Sequence, residues 1–205
     1  MREAASGHTL VPALPLRTER LVLRAFTLED FDALYAYQSR ADVARFLPWG
    51  PRTADEVRTA LGTKIDHTSI TSEGDFLALA AVRADTDELI GDFILGWVSA
   101  EHGLGEIGYI VHPDHAGHGF ATEGGREMLR LAFEELHLHR VIGRLEARNT
   151  ASARVLEKLG MRLEAHLIEN EYFKGEWQSE LLYAILDRDW AELQTSARRG
   201  GHAAD

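Results

Sequence analysis

Cysteine is absent from this chain, and its absence excludes a disulfide framework, a thiolate metal site and a thiol nucleophile. Proline is scarce, at 5 in 205 residues, so most of the chain is free to form regular elements. No apolar run approaches the roughly 20 residues that a membrane-spanning helix needs. The start lacks the basic segment and apolar core of a secretory leader. The expectation is a soluble, cytoplasmic protein with no membrane partner. Positive charge is also in deficit: 22 Lys and Arg face 33 Asp and Glu, a formal net charge of −11. General nucleic-acid binding requires a basic footprint and is not expected. An acidic chain suits a cationic small molecule or a basic peptide, but the same charge also serves plain solubility.

What is present is ordinary for a globular protein, with 45% hydrophobic residues, enough for one buried core. The ends are small and polar. The expected organisation is a disordered tail over 1–14, one domain over 15–193, and a second disordered tail over 194–205. No internal repeat or low-complexity block interrupts the domain.

Residues 20–26 have the dense apolar character of a strand. Phe31, Leu34, Tyr35 and Gln38 share one face of a following helix, capped by Thr27 or by Glu29 and Asp30. A rigid aromatic loop occupies 46–51. Thr53 opens a second helix, with Glu56 placed for a capping box. Phe76, Ala78, Ala80 and Val82 alternate as in a strand, and 89–98 returns as its hairpin partner after the turn at 85–88. Another strand, 105–111, leads into a helix whose Met128, Leu129, Ala132, Phe133 and Leu136 recur at three- and four-residue steps. A strand over 140–145, a helix from Asn149 to a terminating Gly160, and strands over 162–168 and 181–186 complete the domain. This order predicts an α/β or α+β fold, antiparallel in front with a strand–helix–strand crossover behind.

Chemistry concentrates between the 105–111 strand and its helix, in His112-Pro-Asp-His-Ala-Gly-His-Gly-Phe-Ala-Thr-Glu-Gly-Gly125. Glycines 117 and 119 let backbone approach a ligand, and the helix start offers free amides at the positive end of its dipole. On glycine spacing alone a phosphate seat and a connecting turn stay equally open. A dinucleotide fingerprint would require a third glycine where Thr122 stands, and no Gly-Lys-Ser/Thr sequence supplies a nucleotide-hydrolysing loop. The histidines at 112, 115 and 118 sit in a Pro- and Gly-containing loop where helix-face ligand spacing does not apply, so no metal site is expected. Asn149 and Ser152, three apart at a helix start, have the composition of a capping pair.

Taken together, the loop and the segment Asn149-Thr-Ala-Ser-Ala-Arg-Val-Leu-Glu-Lys-Leu-Gly-Met161 resemble the GNAT superfamily of acyl-coenzyme-A-dependent acetyltransferases. Arg17-Thr-Glu-Arg-Leu-Val-Leu-Arg24 and Glu106-Ile-Gly-Tyr109 resemble its ribosomal-protein N-terminal acetyltransferase-like branch. The resemblance implies a mixed, mostly antiparallel sheet of six to seven strands with a splayed parallel pair and about four flanking helices. It implies acetyl-CoA as co-substrate, with no metal. The pantetheine arm would meet the backbone of Tyr109, Ile110 and Val111. The pyrophosphate would meet the amides of Gly117, His118, Gly119, Phe120, Ala121 and Thr122. Ala116 stands where the superfamily commonly has Arg or Gln, which leaves the phosphate contacts to backbone.

The resemblance further gives Asn149 a contact to the pantetheine arm and Ser152 a place near the cofactor sulfur, where its hydroxyl can protonate the departing thiolate. The attacking amine must be neutral, so a base is required. Two carboxylates compete for that role, Glu171 and Glu106, and the resemblance favours Glu171. The implied activity is acetyl transfer to a primary amine by direct attack in a ternary complex, the acceptor being a protein N-terminus or a small amine. Use of a longer acyl group such as succinyl would require positive charge near the thioester, and no such cluster is evident. The alternative is a non-catalytic acyl-CoA-binding sensor or partner subunit. Phe46 and Trp49 either line the acceptor mouth or pack the helix–helix loop. A monomer or a homodimer is expected.

Overall fold

The computed structural model describes residues 9–201, with side chains over 9–196. Its strands are β1 (Leu16–Arg17), β2 (Leu21–Arg24), β3 (Phe76–Arg83), β4 (Leu89–Ser99), β5 (Leu104–Val111), β6 (Arg140–Glu146), β7 (Arg162–Phe173) and β8 (Glu176–Leu186). They form one eight-stranded sheet in the order β1-β2-β3-β4-β5-β6-β8-β7. Every neighbouring pair is antiparallel except β5 and β6. The helices are α1 (Phe31–Gln38), α2 (Ala41–Ala44), α3 (Ala54–Asp66), α4 (Phe120–Arg130), α5 (Thr150–Lys158) and α6 (Asp187–Gly201). The fold is the expected α/β one, with more elements than the sequence announces.

The additions have physical reasons. β1 has two residues and α2 four, too short to carry a periodicity. Helix α6 is polar along most of its length but buries Trp190, whose indole Nε1 donates to Glu134 at 3.0 Å. It runs through residues 194–201, where a disordered tail was expected. At the other end Leu10 is 1% exposed and exchanges backbone hydrogen bonds of 2.8 and 2.9 Å with Ile70, so order begins before residue 15. Residues 1–8 and 202–205 of the expected tails lie outside the described residues. Among the described residues no helix is long and apolar enough to cross a membrane.

Helices cover both faces of the sheet. In β3, Leu77, Leu79 and Ala81 face the larger core, with Phe93, Met128, Leu129 and Leu156. Ala80 points the other way, to Phe26, Leu34, Tyr37, Val57 and Leu61, as the two-residue side-chain period of a strand requires. In α1 the buried tyrosine is Tyr37, fully covered, and not Tyr35, which is 39% exposed. Tyr37 tolerates burial because its hydroxyl donates to Asp92 at 2.7 Å. Helix α4 lies against β4 because Gly124 has no side chain: a Cβ there would sit 2.2 Å from Phe93 Cζ.

The last two strands meet in a tight hairpin. Residues 172–177, expected to separate the strands, belong to it, with Tyr172 opposite Trp177. Lys174 and Gly175 have φ of 52° and 83°, the positive values that two-residue hairpin turns favour. A register shift between Leu167 and Glu171 breaks the ladder part-way, where Glu169 N–H donates to Ser179 Oγ at 3.0 Å. Such a bulge bends its strand. The tip then reaches across the molecule, and Lys174 Nζ donates to the carbonyls of Ala44 (2.5 Å) and Leu47 (3.1 Å).

Candidate active site

The site is created by a pairing that stops early. Strands β5 and β6 pair only over Leu104↔Arg140, Gly105↔Val141 and Glu106↔Ile142. Beyond Glu106 the two strands diverge. A cavity of about 1150 Å³ opens there, between residues 107–110 of β5, residues 143–146 of β6 and the start of α5. Its remaining walls are the aromatic loop 46–51, α3 and the β7–β8 hairpin. Phe46 and Trp49 both line it, as does Glu171.

The glycine loop stands apart, since none of Gly117 to Thr122 lines that cavity. Gly117 and Gly119 have φ of 80° and 87°, a region that a Cβ disfavours. Gly119 is the N-cap of α4 and supplies no side-chain cap. The first-turn amides of Phe120, Ala121 and Thr122 therefore keep their donors, since such amides have no intrahelical acceptor. A side chain at Gly117 would meet open space, so the surroundings are free for a ligand.

The loop is braced from a distance. Arg20, at the entry to β2, donates Nη1 to the carbonyl of His118 at 2.9 Å and Nε to Glu123 at 2.8 Å. Glu123 also accepts from the Arg20 backbone amide and from Thr18 Oγ1 at 2.7 and 2.6 Å. The Arg20 guanidinium lies 4.8 Å from the Phe120 ring centroid. The two hydrogen bonds turn the His118 carbonyl toward Arg20 and hold the first turn of α4 in place. Ala116 contributes no polar atom, and the loop shows the geometry of an anion seat built from backbone, with the positive charge of Arg20 behind it.

Asn149 caps α5: its Oδ1 accepts from Ser152 N–H at 3.1 Å, which leaves its amide nitrogen and one oxygen lone pair for a ligand. Tyr109 Oη lies 2.9 Å from Ser152 Oγ and 3.1 Å from the Ser152 carbonyl, and its single proton is donated to one of the two. The resemblance assigned Tyr109 a backbone role; its side chain spans the cleft from β5 to α5. Burial pushes the Tyr109 phenol up to about 12 against a partly opposing bond from Ser152. It is protonated at neutral pH. Ile110 lines the cavity and Val111 ends β5.

The two candidate bases sit in different settings. Glu106 is half-buried at the fork of the strands. Burial raises its pKa above the ordinary glutamate value, Glu180 adds to the rise, and Arg144 opposes it. The Arg144 guanidinium lies 3.8 Å from Glu106 and 3.6 Å from Glu180. Glu171 is exposed at the cavity rim. The loop histidines are placed for other bonds, His115 facing Glu88 at 3.2 Å and His112 accepting from Asp114 N–H. No cluster of three or more His, Asp or Glu able to hold a metal occurs among the described residues.

One buried polar cluster was not anticipated. Asp92, 1% exposed, receives Tyr37 Oη on one oxygen and Lys64 Nζ on the other. Nothing in the separate segments 31–38, 54–66 and 89–99 announces that they bring these three together.

Residues 20–162 match the family model described as an acetyltransferase (GNAT) domain. The chain belongs to the GNAT acetyltransferase family. It is 31% identical over 176 residues to the uncharacterized N-acetyltransferase YnaD of Bacillus subtilis, covering 85% of this chain and 98% of that one. A GNAT-family acetyltransferase structure from Bacillus anthracis superposes with a TM-score of 0.76 at 29% identity, over 84% of this chain and 98% of the other. The spermidine N-acetyltransferase of Vibrio cholerae, solved with CoA and spermine, shares the fold at a TM-score of 0.71 and 23% identity, over 85% and 99% of the two chains. The protein is a GNAT N-acetyltransferase, and the family uses acetyl-CoA.

Proposed function

We propose that the chain transfers acetyl from acetyl-CoA to a small primary amine by direct attack in a ternary complex, with Glu106 as the base. The observation that carries this reading is the position of Glu106 at the last paired residue before β5 and β6 part. The residues fit the co-substrate. The open amides of Phe120 to Thr122 and the free backbone around Gly117 and Gly119 suit its pyrophosphate, and the gap between β5 and β6 suits its pantetheine arm along Tyr109, Ile110 and Val111. When bound, acetyl-CoA supplies the thioester carbon that the amine attacks.

The chain's own residues do the rest. Glu106, raised toward neutrality by burial, takes the proton from the ammonium form of the acceptor. The exposed Glu171 at the rim draws and orients that cation and does not need to accept its proton. Backbone N–H groups on the edge of β5 that has parted from β6 stabilise negative charge developing on the carbonyl oxygen. Ser152 relays a proton to the departing sulfur, the cationic nitrogen of the adduct being its source, and the Tyr109 hydroxyl, by donating to Ser152 Oγ 2.9 Å away, leaves the serine proton free for that step. The β7–β8 hairpin, tied by Lys174 to the loop after α2, roofs the acceptor side, which favours a small amine over a folded protein's N-terminus. The ribosomal-protein branch, proposed on the motifs at 17–24 and 106–109, then describes ancestry and not the acceptor. The presence of Glu106, Ser152 and Tyr109 in one cleft favours turnover over a sensor role.

Calorimetry with acetyl-CoA, followed by thiol release over an amine panel, tests the proposal. Micromolar binding and amine-dependent release are expected. Absence of binding at millimolar acetyl-CoA would overturn it.

A further inference from the structure

Among the charged side chains that line the acceptor cavity, Arg52 stands in an unusual position. It precedes the N-cap of α3 and lies half-buried, its guanidinium 4.2 Å from the Trp49 ring centroid. Its backbone N–H and Nη1 both bond Gln38, at 3.0 Å to the carbonyl and 2.7 Å to Oε1. Gln38 is 1% exposed, so this anchor is fixed. Nε and Nη2 have no hydrogen-bond partner among the described residues, and no carboxylate there lies within ion-pair distance of Arg52.

The carboxylates nearest in charge are already engaged. Asp92 is held by Lys64 and Tyr37. Glu56 accepts from Thr53 N–H at 2.7 Å and Thr53 Oγ1 at 2.9 Å, completing the capping box of α3. Arg144, the other arginine of the cavity, already faces Glu106 and Glu180. Partial burial costs the Arg52 cation hydration and lowers its pKa, yet a guanidinium stays charged. A desolvated cation whose open Nε–Nη2 edge remains unpaired is an incomplete arrangement. That edge matches the two oxygens of a carboxylate.

We propose that Arg52 is a specificity-determining residue that binds a carboxylate on the acceptor, so that the acceptor is an amine bearing a carboxylate and not a polyamine. This rests on the acetyltransferase reading above and adds the substrate class. The cavity then recognises a zwitterion by its two ends. Glu106 and Glu171 take the ammonium, Arg52 takes the carboxylate, and the Trp49 face fixes the plane of the guanidinium.

The test uses the full chain with saturating acetyl-CoA and measures thiol release. The acceptors are the unbranched amino acids from glycine to 6-aminohexanoate, together with lysine, each paired with its carboxamide, and spermidine. For at least one pair, kcat/KM for the acid is expected to exceed that for the amide by about 10- to 100-fold, the range of a charged hydrogen-bonded contact. Arg52→Gln is expected to collapse that ratio toward one, chiefly through KM for the acid, with unchanged acetyl-CoA affinity and a lowered melting temperature from the lost bond to buried Gln38. Equal use of acid and amide by the wild type, a preference for spermidine, or an unchanged ratio in Arg52→Gln overturns the carboxylate subsite while leaving acetyl transfer standing. Failure of every amine, or of acetyl-CoA to bind, overturns the enzymatic reading with it. The wild-type ratio decides the matter even where the variant does not fold.

Discussion

The proposed donor side and the proposed acceptor side of this protein are built from different material. On the proposed donor side the groups available to a ligand are backbone amides and a helix terminus, at Gly117 to Thr122 and along the edge of β5 that has parted from β6. Side chains such as Arg20 and Glu123 stand behind them as braces. On the acceptor side, side chains face the cavity directly: Glu106, Glu171, Arg52 and the aromatic loop. A backbone-built seat demands particular glycines and tolerates much else. A side-chain-built pocket changes its preference with each substitution. One half is suited to keeping a common donor, the other to changing acceptors.

The contrast can be broken most decisively at Glu106. Glu106→Gln is expected to lower kcat by about 10²- to 10⁴-fold, the usual worth of a positioned base, with acetyl-CoA affinity unchanged in calorimetry. Glu171→Gln should act mainly on KM. The reverse result would exchange their roles. Because burial raises the Glu106 pKa, the acidic limb of kcat/KM in the wild type should lie above the ordinary glutamate range and disappear in the glutamine variant. The stability sign runs the other way. A carboxyl whose folded pKa is raised disfavours folding above that pKa, and the effect vanishes below its unfolded value. Glu106→Gln should therefore leave the melting temperature unchanged or raise it at neutral pH.

Next in size comes the buried cluster. Lys64→Met leaves Asp92 with Tyr37 alone at a buried position on the cavity wall, and removing one partner of a buried pair costs about 3–5 kcal/mol. Urea denaturation should show this loss. Little change would mean that water reaches Asp92. On the donor side, Gly119→Val puts a branched residue at a φ of 87° and its Cβ 3.3 Å from Arg20 Nη2. Acetyl-CoA affinity should fall by about ten-fold or more, given roughly 1–2 kcal/mol of backbone strain alone. Ala116→Ser, which adds only a side chain, should change it little. If both behave alike, the seat is not backbone-built. The smallest effect is expected for Lys174→Met, which removes two hydrogen bonds to carbonyls, each worth about 1 kcal/mol net. It should raise the acceptor KM a few-fold and leave the donor KM alone.

The same contrast explains what the sequence discloses. The donor half is local: a strand, a glycine loop and a helix lie within residues 104–130, and the cap from Asn149 to Ser152 spans three positions. Short-range signals of this kind are visible in spacing, and the family resemblance could attach roles to them. The acceptor half is assembled from distant segments. Lys174 meets Ala44 across 130 positions and Leu47 across 127. Neither contact leaves a periodic trace. The extra strand and helices escaped for a different reason: β1 and α2 are shorter than any period, and α6 has only a narrow apolar face. The point where β5 and β6 part, beside Glu106, is a property of two strands jointly. The resemblance favours Glu171, whereas the proposed mechanism takes Glu106 for its burial and its place at that point.

The Lys174 contact has a consequence for how such a protein diversifies. One ammonium fastens two walls that arise far apart in the chain, and it does so through backbone carbonyls, which persist whatever side chains occupy residues 44 and 47. The walls can thus change composition freely while the latch holds. A single replacement at 174 would loosen both at once, and with them Glu171 three residues away on the same hairpin. On the proposed mechanism, the latch at 174 and the base at 106 lie on different strands, so acceptor breadth could be adjusted at a position other than the one that takes the proton.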